Sequence, residues 1–530
     1  MTDNRVFLYD STLRDGQQTQ GVDFTAGDKI AISRQLDRLG FDYIEGGWPG
    51  ANPADDNFFS QLPELQTARF TAFGMTRRPK RAAADDAGLR ALLATNTPGI
   101  CLVGKTWDFH VKVALRTTEE ENLAMIADSI ALCVAEGREA IFDAEHFFDG
   151  YKANPDFALS CLKTALNAGA RWAVLCDTNG GTLPDEISDI VSVVTAKLPG
   201  NQLGIHCHND TGNAVANSLA AVRAGVRQVQ GTLNGLGERC GNANLISVMP
   251  SLMLRMGYET GVSEENLKQL VTTSNLVDER LNRNPDRHAP FVGANAFAHK
   301  GGLHVSAVQK DPRSYEHVPP ETVGNQRKIL VSDQAGRANV LVRLAELGIE
   351  VANDAPEINK LVDEVKQREH LGYAYDGAAA SFEMLARRML GQWHDHFSLQ
   401  SYRVTDERRS TTDGSIETLS EVTMKVTVDG ILHMTVAEGN GPVNALDNAL
   451  RKALLPAYPQ LVDMQLVDYK VRIMETSAGT AAVTRVMVES SDQSGHRWST
   501  VGASGNVIEA SYQALFDAVN YKLFLATHAA

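Results

Sequence analysis

The chain has 530 residues, 43% of them hydrophobic and 22% charged, a balance typical of a soluble globular protein that buries substantial cores. Its 50 basic and 65 acidic side chains give a net charge of −15, which argues against nucleic acid or an anionic membrane as the main partner. No uncharged apolar run is long enough to span a bilayer, and the start carries no signal-like segment, so we expect a cytoplasmic protein.

Short β-branched or aromatic runs alternate with segments of helical composition over the first 255 residues. Strand-then-helix alternation favours parallel pairing with right-handed crossovers. Eight such repeats match a closed (β/α)₈ TIM barrel better than an open sheet. The predicted strands lie within residues 6–12, 41–48, 69–75, 99–105, 139–148, 171–177, 202–209 and 227–235.

The chain beyond the barrel falls into two parts. From about residue 260 to 390 the pattern is irregular and mainly helical, and from about 400 strand-like alternation returns. Two alternating pairs (398–407 with 417–430, and 468–475 with 482–492), each followed by a helical stretch (444–455 and 506–525), predict an α+β domain of two strand–helix units. We place the barrel at 1–275, a mostly helical linker at 276–395 and the C-terminal α+β domain at 396–530.

In a TIM barrel the chemistry takes place at the carboxyl ends of the strands and in the loops that follow them. Titratable and amide side chains collect at those positions in this sequence. They are Asp10, Arg14, Asp15, Glu45, Asp143, Glu145, His146, Asp177, Thr178, His206, His208, Asn209, Asp210, Glu238, Arg239 and Asn242.

His206 and His208 form the sharpest signal, because residues i and i+2 of a strand point to the same face. Both imidazoles can aim into the barrel mouth, while Cys207 points toward the helices. Asp15 and Asn242 follow strands one and eight, which neighbour strand seven once the barrel closes. This donor set suits a divalent ion acting as a Lewis acid, and the ligand types allow Mg²⁺, Mn²⁺, Zn²⁺ or Co²⁺. The alternative is a pair of hydrogen-bonded core histidines.

Two further features carry both a chemical and a plainer interpretation. Arg14 can bind a keto or carboxylate oxygen or stabilise an enolate, or it can form an ordinary ion pair with Asp15. The glycine-rich segment 231–244 can offer backbone N–H groups to an anion, or it can only shape a loop. The six cysteines stand singly, and no nucleophile–base pair points to a covalent thiol mechanism.

Four segments together resemble the α-isopropylmalate synthase / homocitrate synthase / citramalate synthase family of metal-dependent Claisen condensation enzymes. They are YDSTLRDGQQTQG (9–21), LCDTNGGTLP (175–184), GIHCHNDTGNAVANSLAAVRAG (204–225) and GTLNGLGERCGNANL (231–245). Segments 438–450, 468–475 and 499–515 are similar to the family's C-terminal regulatory domain, which binds the end-product amino acid and dimerises. The resemblance implies a homodimeric acyltransferase that uses acetyl-CoA as co-substrate.

The resemblance also implies roles for individual residues. It places Asp15, His206, His208 and Asn242 around the metal ion and Arg14 on the oxygen of the keto acid. Substrate-side positions are Glu145, Thr178, His110 and Asp143, the last of which departs from the small or aromatic residue frequent in the family. His304 and Tyr315 match a pair that reaches across from the partner subunit. His304 is the candidate base or its relay, a role that Glu145 and Tyr315 could share.

The segments 10–24, 45–59 and 176–187 most resemble the branch of the family whose acceptor is pyruvate, which implies a step in isoleucine biosynthesis and feedback by isoleucine. Trp48, Phe73 and Met75 near the strand ends are compatible with a small acceptor pocket or with ordinary barrel packing. The branches that take 2-oxoisovalerate or 2-oxoglutarate stay open as alternatives. An alternative of another class is a non-catalytic amino-acid sensor with an inactive barrel.

Overall fold

The computed structural model describes residues 4–332, 336–352, 354–410, 416–474, 479 and 481–528. Contacts between backbone positions divide the chain into two units, each described here by itself. The first runs to Phe297 and includes His317–Arg327, and the second comprises Ala298–Glu316 and the chain from Lys328 onward. The predicted domain boundaries at 275/276 and 395/396 stay predictions.

Eight parallel strands form a closed barrel in the first unit. Strands one and eight pair directly, with Tyr9 opposite Gln230, which closes the sheet. The strands are β1 (Phe7–Asp10), β2 (Tyr43–Gly47), β3 (Arg69–Met75), β4 (Gly99–Lys105), β5 (Glu139–Glu145), β6 (Trp172–Asp177), β7 (Leu203–Cys207) and β8 (Gln228–Gly231).

Helices follow the strands and form the outer layer. They are α1 (Ala26–Leu39), α2 (Pro53–Ser60), α3 (Ala87–Ala94), α4 (Asp108–Val113), α5 (Glu119–Ala135), α6 (Phe147–Ala153), α7 (Pro155–Asn167), α8 (Pro184–Thr195), α9 (Ala214–Arg223), α10 (Leu245–Pro250), α11 (Glu264–Leu267) and α12 (Leu270–Arg280). Helix α1 begins after Thr25, whose hydroxyl accepts the N–H of Asp28 while the Asp28 carboxylate accepts the N–H of Thr25. It ends at Gly40, with φ at 107°, where a Cβ would meet the carbonyl oxygen of Gly261 at 2.4 Å.

Alternation along the strands separates the two faces of the barrel wall. Outward side chains pack with the helices in one large apolar core that includes Cys207, as its strand position predicts. Inward side chains form a second, aromatic-rich cluster of Tyr9, Tyr43, Phe73, Cys101, Ile141, Trp172, Val174 and Cys176. The barrel interior is therefore filled by side chains, as in other closed barrels of eight strands.

Two predicted strands, the fifth and the eighth, extend furthest beyond the observed ends. The fifth ends at Glu145, because His146 adopts a left-handed backbone with φ at 55° and α6 begins at Phe147. Phe147 and Phe148 are fully buried helix residues, and a buried apolar run has the composition of a strand. The eighth ends at Gly231 and not at residue 235, since a short 3₁₀ helix covers Leu233–Gly235.

The second unit begins with helices around a short parallel pair of strands, Ala298–His299 with Lys328–Ile329, and ends in two antiparallel sheets of three strands each. Its elements are β9 (Ala298–His299), α13 (Gly302–Lys310), β10 (Lys328–Ile329), α14 (Arg337–Glu346), α15 (Pro356–His370), α16 (Ala379–Met389), β11 (Phe397–Ser410), β12 (Ile416–Val428), β13 (Ile431–Gly439), α17 (Pro442–Leu454), β14 (Gln465–Ile473), β15 (Thr484–Ser491), β16 (Arg497–Ser504) and α18 (Val507–His528). The predicted fold class, a TIM barrel followed by a helical region and an α+β region, is confirmed.

The third strand of each sheet is missing from the prediction. In β13, apolar residues occupy both faces, so alternation is hidden, and in β16 small and polar residues dominate. Each strand is stabilised by pairing with its neighbour, which a local pattern cannot reveal. None of the described helices is long and apolar enough to cross a membrane.

Candidate active site

A cavity of about 250 Å³ opens at the carboxyl ends of the barrel strands; we call it the barrel-mouth cavity. Its lining comes entirely from the first unit. The lining residues are Arg14, Asp15, Gln18, Trp48, Phe73, Met75, Val103, Lys105, Asp143, Glu145, Cys176, Thr178, His206, His208, Glu238 and Arg239.

A hydrogen-bonded turn after β1 places Arg14 and Asp15 at the mouth. The Asp10 carboxylate accepts the backbone N–H of Thr12 at 3.0 Å and its hydroxyl at 2.7 Å. The Thr12 hydroxyl in turn accepts the N–H of Leu233 at 2.8 Å, which ties this turn to the one after β8. Burial raises the pKa of Asp10 to about 7. Asp10 therefore shapes the turn, although it stands at a strand end.

Asp15, His206 and His208 offer one ligand atom each within 4.8 Å of one another. Nε2 of His206 lies 3.3 Å and Nε2 of His208 lies 4.0 Å from Oδ2 of Asp15. Burial alone would raise the pKa of Asp15, but Arg14 and the two imidazoles outweigh it and hold that pKa well below its usual range. Burial lowers the pKa of His208 to about 4, which leaves a neutral imidazole, the form that binds metals.

Two buried oxygen atoms beside this group have no hydrogen-bond partner in the described chain: Oδ1 of Asp15 and Oδ1 of Asn242. The amide nitrogen of Asn242 donates to the carbonyl of Leu236 at 3.1 Å, and its backbone pairs with that of His208. The amide oxygen of Asn242 is therefore the atom that remains without a hydrogen-bond partner among the described residues. A buried acceptor oxygen without a hydrogen bond costs free energy of folding. A cation bound among these oxygens would supply the interaction that the protein lacks. The four residues fit a divalent ion.

Glu45, Phe73 and Asp15 hold the side chain of Arg14 in place. Its Nε donates to Oε2 of Glu45 at 2.7 Å, and its guanidinium stacks over the Phe73 ring at 3.8 Å. The hydroxyl of Tyr9 donates to the other oxygen of Glu45 at 2.7 Å. Burial would lower the pKa of Arg14, but Glu45 and Asp15 raise it, so the side chain stays charged. Glu45 takes Nε and Oδ2 of Asp15 lies 3.5 Å from Nη1, which leaves Nη2 for a substrate oxygen.

The predicted substrate-side residues are brought together only in part. Glu145 lines the cavity and forms an ion pair with Lys105. Thr178 also lines it, and its Oγ1 accepts the N–H of His146 at 2.8 Å. Asp143 lines it too, and its Oδ1 accepts a hydrogen bond from Gln230 at 2.9 Å.

Three predicted catalytic or substrate-side residues lie outside the cavity lining, as does the predicted metal ligand Asn242. His110, on α4, packs with Trp107 at 5.1 Å and His146 at 4.2 Å between ring centroids. Burial lowers the pKa of His110, and the charges of His146 and Lys105 act in the same direction. His304 and Tyr315 belong to the second unit, where their rings stack at 4.2 Å.

Lys105 and Gln230 belong to the site and were absent from the predicted set. Both stand at inward positions of their strands, which the period-two alternation could have identified. Lys105 is two residues beyond Val103, and Gln230 lies on the strand that pairs with His206.

Family models cover most of the chain. The model described as HMGL-like matches residues 5–277, Homocitrate synthase post-HMGL domain-like matches 291–371, and LeuA allosteric (dimerisation) domain matches 376–523. The match over the barrel and over the following regions agrees with the resemblance carried by the sequence segments.

Curated relatives match over nearly the same length. The (R)-citramalate synthase of Aquifex aeolicus (strain VF5) is 51% identical over 98% of this chain and 98% of its own. The (R)-citramalate synthase of Geobacter sulfurreducens (strain ATCC 51573 / DSM 12127 / PCA) is 50% identical over 98% and 97%. The 2-isopropylmalate synthase of Pyrococcus furiosus (strain ATCC 43587 / DSM 3638 / JCM 8422 / Vc1) is 32% identical over 97% and 99%. The resemblance predicted from the sequence is confirmed.

Proposed function

The chain belongs to the HMGL-like family and, over 98% of its residues, to the group that includes the (R)-citramalate synthases, and from this membership we propose that it is a transferase that makes citramalate. The reaction joins the methyl carbon of acetyl-CoA to the keto carbon of pyruvate, and water then cleaves the thioester to release CoA. The observation that carries the proposal is the group Asp15, His206 and His208 beside Arg14 in one cavity.

Asp15, His206, His208 and Asn242 would hold the divalent ion. A bound ion supplies Lewis-acid polarisation of the keto and carboxylate oxygens of the acceptor. Their partnerless oxygen atoms and the neutral imidazole of His208 support this assignment.

Arg14 stabilises the negative charge that forms on the keto oxygen as the new carbon–carbon bond forms. Its guanidinium is fixed before the reaction by Glu45 and Phe73, so little reorganisation is needed when the charge develops. The Thr178 hydroxyl already accepts from His146, so its own proton is left to donate to substrate or water.

The base that removes the proton from the acetyl methyl group is His304, with Glu145 and Tyr315 as the other groups able to share the role. Glu145 is a cavity carboxylate whose charge Lys105 partly neutralises. His304→Ala and Glu145→Gln, assayed at saturating substrates, separate the two. The larger loss of turnover identifies the base, while near-normal turnover of His304→Ala removes His304 from the mechanism.

Pyruvate is the proposed acceptor. Phe73 carries Arg14 on its face and meets Trp48 edge-on at 5.4 Å, so large aromatic side chains stand next to the guanidinium that binds the keto acid. This wall favours a small acceptor, and His110 is proposed to contribute to the substrate side of the site. One methylene in an apolar pocket is worth only about 1–3 kcal/mol, so a few side chains set the preference.

Initial rates of thiol release with acetyl-CoA and each of three keto acids test the proposal. Pyruvate should give the highest kcat/KM. A preference for 2-oxoisovalerate would identify a 2-isopropylmalate synthase, and a preference for 2-oxoglutarate a homocitrate synthase. Absence of turnover with all three, together with binding of an amino acid, would identify the non-catalytic sensor.

We also propose that the chain forms a homodimer and that isoleucine inhibits it. In the described part of the C-terminal sheets, the edge strands β13 and β14 expose apolar side chains, among them Leu432, Met434, Val471 and Ile473. An exposed apolar row on an edge strand is a surface that favours a partner.

Met434→Lys should shift the full chain toward monomer in sedimentation velocity. The matched control is Leu183→Lys, which changes an exposed apolar residue of the first unit and should leave the mass unchanged. Inhibition of thiol release by isoleucine, leucine and lysine tests the effector, and a response to leucine alone would contradict the assignment.

A further inference from the structure

Gln230 lies inside the barrel between a carboxylate and an imidazole of the proposed metal group. Its side chain is buried, with 1% of the residue exposed. Its Nε2 donates to Oδ1 of Asp143 at 2.9 Å, and its Oε1 lies 2.9 Å from Nδ1 of His206. One side chain thus links strands that do not pair, β5 and β8, to the imidazole on β7.

The polarity of this chain of hydrogen bonds is set by its carboxylate end. A carboxylate only accepts, so the amide nitrogen of Gln230 must face Asp143 and the amide oxygen must face His206. An amide oxygen also only accepts, so Nδ1 of His206 must carry the proton. Nε2 of His206 is then the ring nitrogen left for a ligand, and it lies on the side of Asp15, 3.3 Å from its Oδ2.

We propose that Gln230 is a positioning residue that fixes the tautomer and the ring orientation of His206, and that Asp143 acts through Gln230 and not on the substrate. The inference rests on the metal site of the proposed function. It assigns Asp143 a different role from the substrate contact that the family resemblance implies, and the two roles predict different measurements.

Gln228 supplies an internal comparison. It stands two residues earlier on the same strand and faces the same interior, and it is fully buried. Neither its amide oxygen nor its amide nitrogen has a hydrogen-bond partner in the described chain. A glutamine can therefore stand on this face of β8 without contacting a charged group. Of the two glutamines, Gln230 is the one that contacts a histidine of the proposed metal group.

Co²⁺ titration of the metal-stripped full chain, followed by visible absorption, tests the proposal. Gln230→Met keeps the length of the side chain and removes both hydrogen bonds. We expect its Co²⁺ affinity to fall by about 10- to 100-fold and its absorption bands to shift, because partners of a ligating imidazole orient it. Gln228→Met, the matched control, should bind Co²⁺ as the unmodified chain does.

Asp143 variants provide the second arm and decide the matter if Gln230→Met does not fold. Asp143→Asn keeps an oxygen that accepts from Gln230 and should retain Co²⁺ affinity, whereas Asp143→Ala should lose it to the same extent as Gln230→Met. At saturating Co²⁺, the KM for the keto acid should stay unchanged in Asp143→Asn. A raised KM with unchanged Co²⁺ affinity would show that Asp143 contacts the substrate, and it would overturn the inference.

The failure of the inference differs from the failure of the proposed function. If the unmodified chain binds no Co²⁺, the metal site is wrong and the inference falls with it. If the unmodified chain binds Co²⁺ and Gln230→Met binds it equally well with the same spectrum, the inference alone is overturned. Equal weakening by Gln228→Met and Gln230→Met would also overturn it, since the effect would then be one of general packing.

Discussion

The two ends of the barrel interior are built by the same strands and differ in how their polar atoms are satisfied. At the amino end, the inward first residues of five strands, Phe7, Tyr43, Glu139, Trp172 and Gln228, fill the interior. Trp172 donates to the hydroxyl of Tyr43 at 3.1 Å and packs on Phe7 at 5.2 Å. Gln228 is the exception at this end, since both of its amide atoms lack partners in the described chain. At the carboxyl end, the partnerless oxygen atoms of Asp15 and Asn242 lie together with His206 and His208.

Whether a buried polar atom has a partner within the protein therefore helps to distinguish residues that stabilise the fold from residues that can bind a ligand. A group that finds its partners within the protein contributes to the free energy of unfolding, and its loss should not alter the chemistry. A buried acceptor without a partner costs stability until something binds it. Substitutions at the two ends should therefore change different measured quantities.

The largest effect is expected from Asp15→Asn at the carboxyl end. Lewis-acid stabilisation is worth several kcal/mol, so kcat should fall by roughly 10³-fold or more. The melting temperature of the metal-free chain should fall modestly, because the ion pairs of Oδ2 of Asp15 with Arg14 and His206 are lost. Thiol release and thermal unfolding of one preparation check both. Unchanged kcat would contradict the assignment of the carboxyl end.

Trp172→Ala should produce the opposite result at the amino end. Removal of a fully buried tryptophan should lower the free energy of unfolding of the barrel by about 3–5 kcal/mol. Metal affinity and kcat/KM of the folded fraction should stay close to those of the unmodified chain. Denaturant unfolding and metal titration measure the two quantities. A loss of metal affinity comparable to that of Asp15→Asn would contradict the assignment of the amino end to stability alone.

A substitution of Arg14 should change both stability and catalysis, because Arg14 pairs with a buried carboxylate and also faces the substrate. Arg14→Met removes a donor to the keto oxygen and should lower kcat by roughly 10²- to 10³-fold. It also leaves the fully buried Glu45 carboxylate without its guanidinium, which should cost stability. The double variant Arg14→Met with Glu45→Gln should regain stability and not kcat. Recovery of both would show that Arg14 acts only through folding.

Gln228→Met should give the smallest effect. Both polar atoms of Gln228 are buried and have no partner in the described chain, so an apolar side chain of similar length should change stability by no more than about 1 kcal/mol, in the stabilising direction. Chemical denaturation resolves a change of this size. A clear destabilisation would mean that Gln228 is hydrogen-bonded in solution, and the amino end would then be fully satisfied.

The fold was largely predictable because the barrel depends on local patterns. The strands at 69–75 and 99–105 match the structure to the residue, since each is a short, mostly apolar run with a charged residue at one end, Arg69 or Lys105. The third strands of the C-terminal sheets were missed, because their residues carry no local alternation and depend on pairing with β12 and β15.

The site was predictable to the extent that strand geometry decides it. His206 and His208 share a face because they are two residues apart, and Asp15 joins them because β1 and β7 both flank β8. The link from Asp143 through Gln230 to His206 could not be predicted, because it crosses the barrel interior between strands that do not pair. Distances of that kind exist only once the barrel has closed.

Removal of the metal is the decisive test of the proposed metal-dependent reaction. The full chain, treated with a chelator and freed of it, should release no thiol from acetyl-CoA in the presence of pyruvate. Addition of Mg²⁺, Mn²⁺, Zn²⁺ or Co²⁺ should restore the rate in the unmodified chain and not in Asp15→Asn. Thiol release at the full rate from protein in which no metal is detected would contradict the account.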